Sequence, residues 1–175
     1  ILFIGIAFAY SCENKIDEIN KIIDLSNQPA LFAKNIEIVR TDSGKIILKG
    51  FAPEFYHYKN EAEPYTEMPQ GLKVVTYNQY PNVESGISAD YAIYWENKQL
   101  WLAQRNVIAT NIDGDTLQTE ELYWDENTAK IYSDKFCRIT TKDGVFYGEK
   151  GFEADQSFKK WKLKNTKGTV NVKDE

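Results

Sequence analysis

From residue 31 onward, apolar positions recur every second residue in short blocks separated by turn formers, and that period predicts strands rather than helices. "NIEIVR" places Ile36 and Ile38 on one face, "TDSG" is a turn, and "KIILKGFAPEF" is a second strand ending near Pro53. Residues 57–71, "HYKNEAEPYTEMPQG", break the pattern with Pro64, Pro69 and Gly71 and read as a long loop placed to cover an opening. Strand resumes at "LKVVTYN". It continues as hairpins about "ENKQ", Asp113-Gly114, "DENTA" and Asp143-Gly144, the Asp-Gly pairs suiting turns with positive φ. No stretch after residue 30 has helical spacing. Helical spacing is confined to residues 15–25, "KIDEINKIIDL", where Ile16, Ile19 and Ile22/Ile23 fall at three- and four-residue intervals before "SNQPA" ends the pattern.

Ahead of that helix, residues 1–12, "ILFIGIAFAYSC", form an apolar run too short for a spanning helix and followed at once by charges. The run resembles a bacterial lipoprotein signal, part of which is expected upstream of Ile1; Cys12 would then be the acylated anchor. An uncut membrane helix completed by upstream residues is the alternative, and it too would tether the domain. The expected organisation is therefore residues 1–12 as signal and anchor, 13–30 as helix and spacer, and 31–175 as a β domain. Cys137, without a disulfide partner once Cys12 is acylated, is expected in the core.

Composition narrows this reading little but consistently. With 175 residues, 42% hydrophobic and 14% aromatic, the chain can bury one core, and β-branched and aromatic residues outweigh Ala and Leu. The balance of 21 basic against 26 acidic residues gives a net charge of −5, which supplies no footprint for nucleic acid or an anionic membrane surface.

One segment invites a catalytic reading. "LQTEELYWDENTAKIYSDKF" sets Glu120, Glu121, Asp125 and Glu126 around Tyr123 and Trp124, a composition met in carbohydrate-cleaving clefts. Self-similarity argues against it. Ile87-Ser88-Ala89-Asp90, Leu117-Gln118-Thr119-Glu120 and Phe152-Glu153-Ala154-Asp155 each read apolar, polar, small, acidic. Tyr94-Trp95-Glu96 and Tyr123-Trp124-Asp125 follow the first two copies. The spacing falls from thirty to twenty-nine residues between the two pairs of segments, which suggests one bulged residue in the first copy. A carboxylate that recurs in each repeat marks a strand end, whereas a catalytic pair needs two different environments. His57, the single histidine, lies in the loop without a partner nucleophile; neither a metal-ligand spacing nor a Gly-rich phosphate loop is present, so no cofactor is expected. Trp95, Trp101, Trp124 and Trp161 are read as cross-strand packing. A glycan-binding or glycan-cleaving surface lipoprotein is the competing function.

The phrases "DSGKIILKGFAPEFYHY", "PYTEMPQGLKVVTYN", "ISADYAIYWENKQLWLAQRNVIATN", "LQTEELYWDENTAKIYSDKFCRITTKDG" and "GFEADQSF" are similar to the LptC family, the periplasmic component of lipopolysaccharide export, and more broadly to the LptA/OstA-type repeat. The resemblance spans about residues 15–172 and is most specific over 87–155. In one place it departs: the family commonly has Gly before an Asn-Val pair, and Arg105 precedes Asn106-Val107 here, which bears on a close backbone approach at that point.

The resemblance implies an all-β fold, a twisted open jellyroll of stacked antiparallel hairpins. It implies a non-enzymatic subunit on the periplasmic side of the inner membrane, tethered through its N-terminal segment. Its N-terminal edge, near residues 34–52, would meet the lipopolysaccharide ABC transporter, and its C-terminal edge, near 145–172, an LptA-like bridge protein; a soluble LptA-like piece is the variant of this reading. The implied ligand is lipopolysaccharide, its lipid A acyl chains held in an apolar lumen. The charge balance suits hydrophobic contact better than a grip on phosphates. Alternation nominates Ile36, Ile38, Ile87, Ala89, Tyr91, Ile93, Leu117 and Phe152 for that lumen, with Leu48 and Val74 behind them. An ordinary filled core would produce the same alternation.

Overall fold

A computed structural model describes residues 28–59 and 62–170, and the fold is all-β, without a helix among these residues. The segments expected to hold the signal, Cys12 and the amphipathic helix lie outside them. One antiparallel system contains fourteen strands: β1 (Leu31–Asp42), β2 (Lys45–Tyr58), β3 (Tyr65–Met68), β4 (Leu72–Gln79), β5 (Asn82–Ala89), β6 (Tyr91–Trp95), β7 (Leu100–Thr110), β8 (Thr116–Asp125), β9 (Lys130–Ser133), β10 (Cys137–Thr141), β11 (Gly144–Gly148), β12 (Phe152–Asp155), β13 (Trp161–Leu163) and β14 (Thr166–Val170).

The chain runs back and forth, and each pass bends once midway, so that its two halves join two different layers of a jellyroll. Layer A holds the later half of β1, the earlier half of β2, β4, β5, the later half of β7, the earlier half of β8, β10, β11 and β14. Layer B holds the remaining halves with β3, β6, β9, β12 and β13. Two positions show why the bends need glycine. Gly71 (φ +94) and Gly151 (φ +93) occupy the left-handed region, and a Cβ there would lie 2.4 Å from the Ala89 carbonyl oxygen and 1.9 Å from that of Ser133. In β7 the bend falls on Arg105 (φ 61) and Asn106 (φ 50), with a register shift between Gln104 and Val107. Arg105 thus adopts the backbone conformation that suits glycine. Its guanidinium donates to the Asp90 carbonyl (3.2 Å) and lies 5.1 Å from the Tyr91 ring centre, while the Asp90 N–H donates to the Arg105 carbonyl (3.0 Å).

The same junction reverses the facing of side chains. In layer A an inward row runs Ile38, Gly50, Val74, Ile87, Ala109, Leu117, Ile139, Phe146 across successive strands. After the bend at Asp90 the inward positions are Ala92 and Tyr94, continuing as Ala103 and Trp101, then Leu122 and Trp124. Because strand neighbours alternate, Tyr91 and Ile93 lie on the opposite face of the sheet, Tyr91 in a row with Gln104 and Glu121 and Ile93 in a row with Leu102, Tyr123 and Tyr132, where Ile93 and Leu102 are nonetheless buried.

Three sequence expectations are corrected here. Strand β2 continues through Pro53 to Tyr58, and Tyr65–Met68 of the expected loop is strand β3, held by Tyr58–Tyr65 stacking at 4.6 Å and by the burial of Met68. The row that pairs Tyr94, Trp101 and Trp124 shows that Tyr94 matches Trp124, not Tyr123, so the thirty-residue offset persists with no bulged residue. Phe152-Glu153-Ala154-Asp155 lies beyond a bend, in layer B; the layer A counterpart of Leu117-Gln118-Thr119-Glu120 is Phe146-Tyr147-Gly148-Glu149.

Among the described residues, β1 pairs only with β2, β13 only with β12 and β14 only with β11, so both ends of the jellyroll present unpaired strand edges.

Candidate functional site: the cavity between the layers

The interior is filled at one end and hollow in the middle. Toward the C-terminal edge, Leu117, Cys137, Ile139, Phe152, Phe158 and Leu163 form one buried cluster, with Phe146 and Trp161 against it, their ring centres 5.7 Å apart. Nearer the N-terminal hairpin, a cavity of about 390 Å³ separates the layers. Leu48, Val74, Ile87 and Ala109 line it from layer A, Leu122, Trp124 and Ile131 from layer B, and Phe158 from the turn after β12. Its rim is polar and includes Arg40, Thr76, Glu84 and Ser85. Its volume falls in the roughly 300–1,000 Å³ range of small-ligand sites. An apolar lining with a wetted rim suits an amphiphile whose tail enters and whose head stays out.

The nominated residues divide among four environments. Leu48, Val74 and Ile87 line the cavity. Ala89, Leu117 and Phe152 are buried in the packed cluster, the last two at 0% exposure. Ile36 packs beside Ala52, Met68 and Ala92, and Ile38 covers Gly50 near the open edge with 38% exposure. Tyr91 and Ile93 lie on the sheet face opposite Ala92 and the cavity, Tyr91 half-buried and Ile93 buried. Burial first, and hydrogen bonding to Glu67 second, push the Tyr91 phenol up to about 12. Cys12 lies outside the described residues.

Sequence reasoning passed over Ala109, Leu122, Ile131 and Phe158, and it read Trp124 as cross-strand packing without placing it at the cavity. Trp124 stacks on Trp101 (6.3 Å between ring centres) with its Nε1 buried and without a hydrogen-bond partner. The thirty-residue offset carried the signal: Ile87 and Leu117 share one row, so Tyr94 and Trp124 share the next.

Three of the four carboxylates that suggested catalysis have structural partners. Glu121 accepts a hydrogen bond from the Gln104 amide (2.9 Å), and Glu126 accepts from the Trp101 indole N–H (2.8 Å). Asp125 accepts from the N–H groups of Asn127 (2.9 Å) and Thr128 (3.3 Å); hydrogen bonding from Thr128 and then Asn127 holds its carboxyl below the ordinary range. His57 is half-buried, its Nδ1 3.1 Å from Glu96 and 3.2 Å from the Thr66 hydroxyl. Burial raises the Cys137 thiol.

Net charge conceals one feature. Residues 159–167 contain Lys159, Lys160, Lys162, Lys164 and Lys167, so the C-terminal edge is locally basic although the chain is acidic. Lys159, Lys164 and Lys167 pair with Glu84, Asp134 and Glu149.

A family model described as lipopolysaccharide-assembly, LptC-related, matches residues 1–171. No curated protein matches the chain.

Proposed function

Because the chain belongs to the LptC-related family of lipopolysaccharide-assembly proteins, we propose that it carries lipopolysaccharide by seating lipid A acyl chains between its two layers. Membership implies a role in lipopolysaccharide transport and a place in the periplasmic envelope. The cavity carries the finer reading: apolar side chains from both layers enclose a space that strand alternation did not fill. The phosphorylated head would remain at the polar rim.

The unpaired edges supply the partners. An exposed strand edge is a template for backbone pairing, so β1 would extend a sheet of the inner-membrane transporter, and β13 with β14 would extend one of an LptA-like bridge protein. Net transport would draw its energy from the transporter's ATPase. Acylation of Cys12 would tether the domain, and labelling the chain with a fatty-acid probe tests it: label lost in Cys12→Ser supports the anchor, and label retained removes it. Among the described residues no helix is long and apolar enough to cross a membrane.

A buried carboxylate without a partner is costly, so Val74→Glu and Ile87→Glu should weaken binding of lipopolysaccharide by about tenfold or more. Val75→Glu, one residue along and on the outer face, should leave it near wild type. Circular dichroism of each variant must remain that of a β protein. Equal loss in all three variants would remove the interior as the binding site. Leu117, fully buried in the packed cluster, is unsuitable for this test because a charge there would unfold the chain.

A further inference from the structure

Along the inward row of layer A the cavity lining stops at Ala109, and the next residues, Leu117, Ile139 and Phe146, belong to the packed cluster. In layer B the lining stops at Ile131, and Ala154 and Trp161 follow it in the cluster. The lumen is therefore closed before it reaches the C-terminal edge. Most of what closes it is strand, fixed by ladders on both sides. Phe158 is different, because it enters from the turn 156–160 between β12 and β13 and is still only 2% exposed.

That turn is rigid in itself and lightly held to the opposite layer. Asp155 Oδ1 accepts from Ser157 N (3.1 Å), Ser157 Oγ (2.7 Å) and Lys159 N (3.1 Å), and Oδ2 accepts from Lys160 N (3.1 Å), so the turn keeps its shape as a unit. Across the mouth it is held by a hydrogen bond from Asn111 Nδ2 to the Phe158 carbonyl (3.1 Å) and an ion pair between Lys159 and Glu84 (3.3 Å). One neutral hydrogen bond and one surface ion pair are weak ties across the mouth; the rest of the hold is the burial of the Phe158 ring and the hydrogen bond from Gln156 N to the Ala129 carbonyl (3.1 Å). Phe158 also holds φ at 55°, a conformation that bulky side chains avoid and that persists only where surroundings enforce it.

We propose that Phe158 is a removable plug that sets how deep a chain in the cavity reaches toward the C-terminal edge, with Asn111 and Glu84 setting how often it withdraws. The proposal rests on the interior being a lipid site. An acyl chain in the cavity meets Phe158 as its end wall; when the turn lifts as a unit, the chain enters the space that the ring leaves and reaches toward Phe146 and Trp161.

The test uses the full chain, purified lipopolysaccharide as probe, and the photo-crosslinker p-benzoylphenylalanine in place of Trp124 on the cavity side or Phe146 beyond the plug. Both positions are already aromatic. Each is combined with the wild-type turn, with Glu84→Gln, which removes the ion pair at the rim, and with Asn111→Asp, which removes the donor to Phe158 while keeping the acceptor that shapes its own turn. Expected is strong capture at 124 in all three backgrounds and weak capture at 146 in the wild type. Capture at 146 should rise by at least about 2-fold in Asn111→Asp, the least that loss of one neutral hydrogen bond brings, because the new carboxylate also faces the Phe158 carbonyl and Asp115 Oδ2, both contacted by Asn111 Nδ2, and by less in Glu84→Gln. Melting curves confirm that each variant is folded, and Glu84→Gln, a surface change, serves if Asn111→Asp is not. Wild-type capture at 146 equal to that at 124, or capture at 146 unmoved by freeing the turn, would overturn the plug and leave the lipid site standing. No capture at 124 in any background would overturn the lipid site itself and the plug with it.

Discussion

Replacing two isomeric side chains by alanine separates a filled interior from a hollow one. Leu117 and Ile87 stand in one inward row, two strands apart, with Ala109 paired to both. Each truncation removes the same three carbons, worth about 0.8 kcal/mol apiece in transfer from water. Leu117 is fully buried against Ile139 and the rest of the cluster, so its loss opens a new void, costed at about 24 cal/mol per Å³. A total of about 3–5 kcal/mol is expected for Leu117→Ala. Ile87 is half-buried and already borders a void of about 390 Å³. Its truncation widens an existing space, and part of its surface had never left water, so Ile87→Ala should cost only about 1–2 kcal/mol. Urea titration of both variants, with a common slope to show that the unfolded states match, gives the two values directly. In a chain of this size Leu117→Ala should also melt about 6–20 °C lower. If Ile87→Ala costs as much as Leu117→Ala, the cavity is not there, and the layers pack as an ordinary sandwich.

Other consequences are as direct. Gly151→Ala forces a Cβ into the Ser133 carbonyl at a positive φ and should destabilise the chain by more than about 2 kcal/mol, whereas Gly44→Ala, with open space around it, should cost only about 1 kcal/mol in backbone strain; thermal melts compare them. The raised Tyr91 phenol means that the fold favours its neutral form: this contribution is complete below the ordinary value of 10.0 and is lost as pH climbs toward about 12. Tyr91→Phe should therefore delete the latest-titrating phenol from an ultraviolet titration and flatten the loss of stability in that window, and an unchanged titration would sink the assignment. In a Cys12→Ser background, Cys137, buried and with its thiol raised, should resist thiol reagents in the native chain and react at the rate of unfolding when urea is added; rapid native labelling would contradict its burial.

How much of this was legible depended on what alternation encodes. Period and turn chemistry predicted the hairpins, because Asp-Gly pairs and β-branched runs are local causes with local effects. The facing of Tyr91 and Ile93 was not legible. It depends on a bend at Asp90, created by left-handed backbone at Arg105 and Asn106 a pass away, and Arg105 lacks the glycine that would have announced it. The repeated Tyr-Trp dipeptide misled for a related reason: chemical likeness aligned Tyr94 with Tyr123, while inward facing aligns it with Trp124. Strand β3 was hidden by the prolines on either side of it. The cavity was not readable at all, since Ile87 and Leu117 have the same pattern around them and differ only in what the opposite layer places across from them. Phe158 was missed because a turn residue has no period.

Every strand half pairs only with halves of the passes immediately before and after it in sequence, from β1 against β2 to β14 against β11. Growth of such a fold is therefore additive. Inserting one more thirty-residue hairpin at a bend-to-bend boundary would add two strands to each layer, about 9–10 Å at the usual spacing between strands, and would disturb no pairing elsewhere. The length of the interior is thus written in the number of passes, as a ladder is lengthened by its rungs.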